Sequence, residues 1–138
     1  MQDHEKDARV LIVDDEPLVR RSIEKTLMRA GFEVETAANC ADGLTMFEAA
    51  QENGKPFDLA VLDINMPDFS GIETAGAGLQ LLQKLIVHRP DLPVVMLTAY
   101  DEVKKAKEAI NIGARAYFVK GREQGLLSLI ADLMRTNT

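Results

Sequence analysis

The chain has 138 residues, 46% of them hydrophobic and 28% charged, with a formal net charge of −6 and a sequence pI near 4.9. That length suits one ordinary domain with a proper core, and the acidic balance argues against direct binding to nucleic acid or an anionic membrane. The single cysteine, Cys40, excludes an internal disulfide framework, no apolar run approaches the ~18 residues of a membrane helix, and the opening MQDHEKDAR lacks an apolar signal segment, so the expectation is one cytoplasmic domain.

The first apolar run, Val10–Val13, ends in three carboxylates, Asp14, Asp15 and Glu16, and then a proline. Leu18, Ser22, Ile23, Leu27 and Ala30 recur on one face of a predicted helix that Pro17 opens and Gly31 ends. Phe32–Ala37 alternates apolar and polar residues, as a half-buried edge strand does. A second helix is predicted over Asp42–Gln51, followed by the near-continuous apolar run Leu59–Pro67, which Asp63 interrupts. The stretch Asp68–Gly78, DFSGIETAGAG, is rich in small residues and separates that third strand from its helix, Leu79–His88, which Pro90 stops. Pro93–Ala99 is a fully apolar fourth strand, and Asp101–Ile112 a helix ended by Gly113. Ala114–Lys120 is the fifth strand and Glu123–Met134 the last helix, whose Leu-rich face (Leu126, Leu127, Leu129, Ile130, Leu133) is wider than one core stripe.

Five strands alternating with five helices predict a doubly wound α/β domain: a five-stranded parallel sheet with helices on both faces, a three-layer sandwich. The domain is expected over residues 10–134, with a polar lead-in at 1–9 and a tail at 135–138. In such a sheet ligands bind beyond the carboxyl ends of the strands. Those ends carry Asp14-Asp15, Asp63, Thr98 and Lys120, so three carboxylates, a hydroxyl and an ammonium should meet in one crevice. Neighbouring carboxylates repel, and a divalent cation would neutralise them; a few hard oxygen ligands with positions left for water suit Mg²⁺. One carboxylate remains as a nucleophile able to accept a phosphoryl group, with the lysine stabilising the transferring oxygens and the threonine hydroxyl bonding one of them.

LIVDDEP, LAVLDINMPDFSG, MLTAY and AYFVKG, in that order and on those elements, resemble the receiver domains of two-component response regulators. The resemblance covers about Val10 to Met134 and implies the flavodoxin-like strand order 2-1-3-4-5. It implies that Asp63 is the phosphoacceptor, that Asp14 and Asp15 hold Mg²⁺ with Asp15 the direct ligand, and that Asn65 offers the metal its backbone carbonyl. It further implies that Thr98 and Lys120 hold the phosphoryl group, that Tyr117 is a switch aromatic, and that Asn65 and Tyr100 set the rate of phosphate loss. The implied donor is a sensor histidine kinase or a histidine phosphotransfer protein. The implied output is a downstream protein read by the face of helix four, strand five and helix five, from a monomer or weak dimer.

Two departures stand out. Gly121 follows Lys120 where the family usually has proline, which gives that loop more freedom. Both Gly71 and Gly78 fit the place of the glycine that leads into helix three, an insertion of up to seven residues, 78 − 71. These departures motivate an alternative, a receiver-like interaction module that does not signal through phosphate. A phosphatase working through an aspartyl phosphate is disfavoured, because the position of its general acid is Asn65, which cannot shuttle a proton. The chain is therefore expected not to be an enzyme beyond its own phosphorylation and slow dephosphorylation. Residue by residue, blander readings exist: the acidic triplet as a helix-start charge, Thr98 as a helix cap, Tyr117 as plain core. His4 and His88 carry no ligand pattern, Cys40 reads as a small buried residue, and the glycines at 76 and 78 fail as a dinucleotide loop because Leu81 takes the third position.

Overall fold

A computed structural model describes residues 8–99, 102–121 and 123–136. In chain order the elements are β1 (Arg9–Val13), α1 (Pro17–Arg29), β2 (Glu33–Ala37), α2 (Cys40–Glu52), β3 (Leu59–Asp63), β4 (Met66–Pro67), β5 (Glu73–Thr74), α3 (Ala77–His88), β6 (Val94–Thr98), α4 (Val103–Ile112), β7 (Ala116–Val119) and α5 (Glu123–Thr136). Five strands form one parallel sheet in the order β2-β1-β3-β6-β7, which is 2-1-3-4-5 when the two-residue strands β4 and β5 are left out of the count. The predicted doubly wound architecture is the observed one.

The sheet is apolar on both sides, and its residues alternate between two cores. Leu11, Val13, Ala60, Leu62, Val94 and Met96 join side chains from α2, α3 and α4 on one face. Val10, Ile12, Leu59, Val61, Val95 and Leu97 join Ile23 and Leu27 of α1 with Leu126 and Ile130 of α5 on the other. The wide apolar face of α5 is used here, since Leu127, Leu129 and Leu133 also pack against this core. β2 bonds only to β1, so the alternating segment is indeed an edge strand.

The structure corrects one reading and adds an element where none was predicted. Leu18 is not on the buried face of α1: it is 77% exposed. The buried line runs through Val19, Ile23 and Leu27 at i, i+4 spacing, which leaves Leu18 about 100° round the helix. The small-residue stretch after β3 is ordered as an antiparallel ribbon, with Met66 opposite Thr74 and Pro67 opposite Glu73. One side chain organises its turn. Asp68 Oδ1 accepts from the backbone N–H of Ser70 at 2.8 Å and of Ile72 at 3.1 Å, and Oδ2 accepts from Thr74 Oγ1 at 2.8 Å. Those bonds, that from Thr74 first, hold the Asp68 carboxyl below the usual carboxylate range.

Beyond the ribbon, Gly76 takes a left-handed conformation (φ 79°) and delivers the chain into α3. Gly78 N donates to Ile64 O at 2.8 Å, and a Cβ on Gly78 would stand 1.9 Å from the carbonyl oxygen of Asp63. Of the two candidate glycines, Gly78 is the one that lets helix three close on the end of β3.

Candidate functional site

In a parallel sheet every strand finishes at the same edge, and the register sets how far each reaches. Val13 pairs with Leu62, Asp63 with Leu97, and Thr98 with Val119, so Asp14, Asp63, Thr98 and Lys120 arrive together at the carboxyl rim. Asp14 is 0% exposed, Asp63 4% and Thr98 0%, and among the described residues the other buried side chains are apolar. Burial of a carboxylate is costly unless it is paired. Lys120 supplies the pairing: its Nζ lies 3.0 Å from Asp63 Oδ2 and 3.4 Å from Asp14 Oδ2, and it also bonds the Glu16 carboxylate. Gly121 follows it at φ 94° in open space, so the absence of the usual proline does not carry the ammonium away from the acids.

The pairing is incomplete. Asp14 Oδ1 accepts from the Glu16 N–H at 2.8 Å and Asp63 Oδ1 faces the Asn65 N–H at 3.4 Å, but Asp14 Oδ2 is buried with no hydrogen-bond partner among the described residues. The ammonium 3.4 Å away is a charge contact rather than an aligned bond. Burial, reinforced by the neighbouring charge of Asp14, pushes the Asp63 carboxyl up to about 7 against the opposing pull of Lys120 and the Asn65 N–H. Burial raises Asp14 as well, despite the Glu16 N–H and Lys120. Burial alone would lower Lys120, but its bond to Glu16 and the charges of Asp63 and Asp14 outweigh it and raise the ammonium.

One oxygen each from Asp14, Glu16 and Asp63 lies within 4.8 Å of the others, a grouping able to hold a metal ion. Glu16 was not singled out for this role from the sequence. No periodicity in the sequence marks it; Glu16 enters the group through its bond to Lys120. Asp15 is directed instead toward the ribbon. There Asp15 lies beside Glu73, whose carboxyl is raised by desolvation and by the Asp15 charge.

The remaining residues fall as follows. Thr98 is no helix cap: its hydroxyl donates to Ala99 O at 3.0 Å, and Glu102 is the residue that precedes α4. Asn65 is half-buried, its Nδ2 donating to Glu102 Oε1 at 2.5 Å and its Oδ1 accepting from Gly76 N at 2.7 Å. Tyr117 is half-buried on the edge strand β7 and packs against the larger core. Tyr100, His4 and Asp101 lie outside the described residues. Cys40 is buried, donates to Ala77 O at 3.4 Å, and has its thiol pushed by burial up to about 12. His88 sits 3.6 Å from Glu48 on the exposed α2–α3 surface, away from the crevice. Among the described residues no helix is long and apolar enough to cross a membrane.

The chain is similar to known proteins in sequence and in fold. The family model of the response regulator receiver domain matches residues 10–131. The regulatory protein AtoC of Escherichia coli is 35% identical over 90% of this chain and 24% of its own length. The response regulator PilR of Pseudomonas aeruginosa is 35% identical over 92% of the chain and 26% of its length, so the chain spans about a quarter of these relatives. A CheY-like receiver domain from Methanospirillum hungatei superposes with a TM-score of 0.80 at 32% identity, over 95% of this chain and 96% of that one. TrrA of Thermotoga maritima, solved in complex with Mg²⁺ and BeF, superposes with a TM-score of 0.74 at 30% identity, over 91% and 98%. With the match running from β1 into α5 and across every strand that ends at the acidic crevice, the chain belongs to the response regulator receiver domain family.

Proposed function

We propose that the chain is a phosphorylation-dependent signalling switch of a two-component system, in which Asp63 accepts a phosphoryl group from a sensor histidine kinase or a histidine phosphotransfer protein. The observation that carries this reading is the buried Asp63 carboxylate with Lys120 Nζ 3.0 Å from its Oδ2. An Asp63 oxygen attacks the phosphorus, the P–N bond of the donor phosphohistidine breaks, and its electron pair returns to the imidazole. Lys120 and the Thr98 hydroxyl hold the arriving phosphoryl oxygens, so charge developing on them meets donors already in place.

Mg²⁺ fits this crevice. The donor set is all carboxylate oxygen, and the buried Asp14 Oδ2, which has the Lys120 charge nearby but no hydrogen bond, is free to act as a ligand atom. Asp14 and Asp63 would hold the ion with the backbone carbonyl of Asn65, joined by Asp15 or by Glu16, which stands nearer the group here. When bound, it neutralises the acids and the transferred charge. TrrA, similar over nearly the whole chain, binds Mg²⁺ together with a BeF group.

The added phosphoryl carries about −1.5 to −2 charge, which biases a two-state element. Thr98 moves toward it, Tyr117 repacks inward, and the α4/β7/α5 face exchanges protein partners. Asn65 and Tyr100 tune a slow self-hydrolysis, and no other substrate is turned over. The acidic surface and the absence of a membrane-spanning helix among the described residues suit a cytoplasmic domain over residues 10–134 whose contacts are proteins rather than nucleic acid. Acetyl phosphate with Mg²⁺ should place one phosphoryl group on the protein, and chelation or Asp63→Asn should abolish it. Labelling that persists in Asp63→Asn would mean another acceptor.

A further inference from the structure

Asn65 stands two residues past Asp63, and its carboxamide joins two helix starts. Its Oδ1 accepts from Gly76, which precedes α3, and its Nδ2 donates to Glu102 Oε1, which precedes α4. Its own backbone N–H faces Asp63 Oδ1 at 3.4 Å. Glu102 is steadied in turn by Lys105 at 3.4 Å and is only 24% exposed. A continuous run of polar contacts therefore leads from the inserted ribbon, across the rim beside Asp63, into the first turn of α4. Gly76 belongs to the ribbon's exit, so the bridge exists only because of the insertion. Bonds to an ionised acceptor are about twice as strong as neutral ones, which makes Glu102 the firmer of the two anchors.

A held carboxamide acts differently from a free one. Asn65 cannot act as an acid or base, and with Oδ1 held by Gly76 N and Nδ2 by Glu102 its effect on water near Asp63 depends on where the amide is kept. Its two bonds tie the amide to the residues that precede α3 and α4, beside Asp63. We propose that Glu102 is a positioning residue for the Asp63 phosphoryl group: by gripping the Asn65 amide it keeps that side of the crevice closed to water and lengthens the life of the acyl phosphate. In the step it restrains, a water oxygen attacks phosphorus, the P–O bond to Asp63 breaks, its electron pair returns to the carboxylate, and the water protons leave with phosphate and solvent. The inference rests on Asp63 being the acceptor.

The test follows the loss of label from the whole chain after acetyl phosphate and Mg²⁺ are removed, in wild type, Glu102→Ala and Glu102→Gln. Glutamine retains a carbonyl oxygen for Asn65 Nδ2, whereas alanine removes the acceptor. Expected rates for wild type and Glu102→Gln agree within about twofold, with Glu102→Ala at least about threefold faster. In the unphosphorylated protein the Asn65 side-chain amide resonance should shift in Glu102→Ala and stay near its wild-type place in Glu102→Gln, a readout that general loss of stability would not reproduce. An unchanged or slower rate in Glu102→Ala overturns the proposal, as does a glutamine variant that behaves like alanine, since charge and not the bond would then be responsible. Failure of the wild type to take label would instead overturn the Asp63 reading, and the positioning role with it.

Discussion

At Asp63, Asp14 and Glu16, three carboxylates share one ammonium, and the imbalance has measurable consequences. Asp63 holds its proton more tightly folded than unfolded, since burial raises it to about 7 from the ordinary carboxylate range. A raised acid favours the folded state below the unfolded pKa, and that contribution is lost as pH rises from about 4 through about 7. Thermal stability of the metal-free protein, compared with Asp63→Asn, should therefore decline over that interval, at most about 1.4 kcal/mol per pH unit for one group, and saturating Mg²⁺ should flatten the decline. A wild type that gains stability over Asp63→Asn as pH rises would contradict the geometry. Lys120→Ala leaves buried acids without their counter-charge, and partial solvent access moderates the cost to about 1–3 kcal/mol. Its melting temperature should drop in chelator and recover in part with Mg²⁺, while acetyl phosphate labelling slows at least about tenfold. Asp63, Asp14, Thr98 and Lys120 were legible because each polar residue terminates an apolar strand. Which member of the Asp14-Asp15-Glu16 triplet joins them was not, since that depends on one backbone conformation at Glu16.

At the scale of elements, the long strands and helices declare themselves by period and by apolar runs of five or so residues. The β4–β5 ribbon does not: two-residue strands carry no periodicity, and its order comes from the bonds of Asp68. The same limit applied at the start of α1, where Leu18 fitted a helical stripe that the packing places one residue further on. Two glycine substitutions separate the roles of the inserted segment. Gly71→Ala meets open space and bears only the strain of φ 81°, about 1–2 kcal/mol. Gly78→Ala drives a Cβ into the backbone carbonyl of Asp63, which cannot swing aside, at about 3 kcal/mol, and should disturb Mg²⁺ binding as well as melting temperature. Equal effects at both sites in thermal melts and Mg²⁺ titrations would show that α3 does not close on β3 as described.

For the whole molecule, the parallel sheet serves to bring strand ends that are far apart in the chain to one rim, and the alternation of strand and helix announces that arrangement before any contact is known. The bridge through Asn65 was beyond sequence reasoning, because it depends on side-chain directions that only the assembled layers set. Which carboxylate becomes the acyl phosphate decides the mechanism. Borohydride reduction converts an aspartyl phosphate into homoserine, so reducing the freshly labelled protein and sequencing its peptides by mass reads the acceptor directly. Homoserine at position 63 alone, lost with chelator, is the predicted result. Homoserine at Asp14, Asp15 or any other acid, with residue 63 still aspartate, would contradict it.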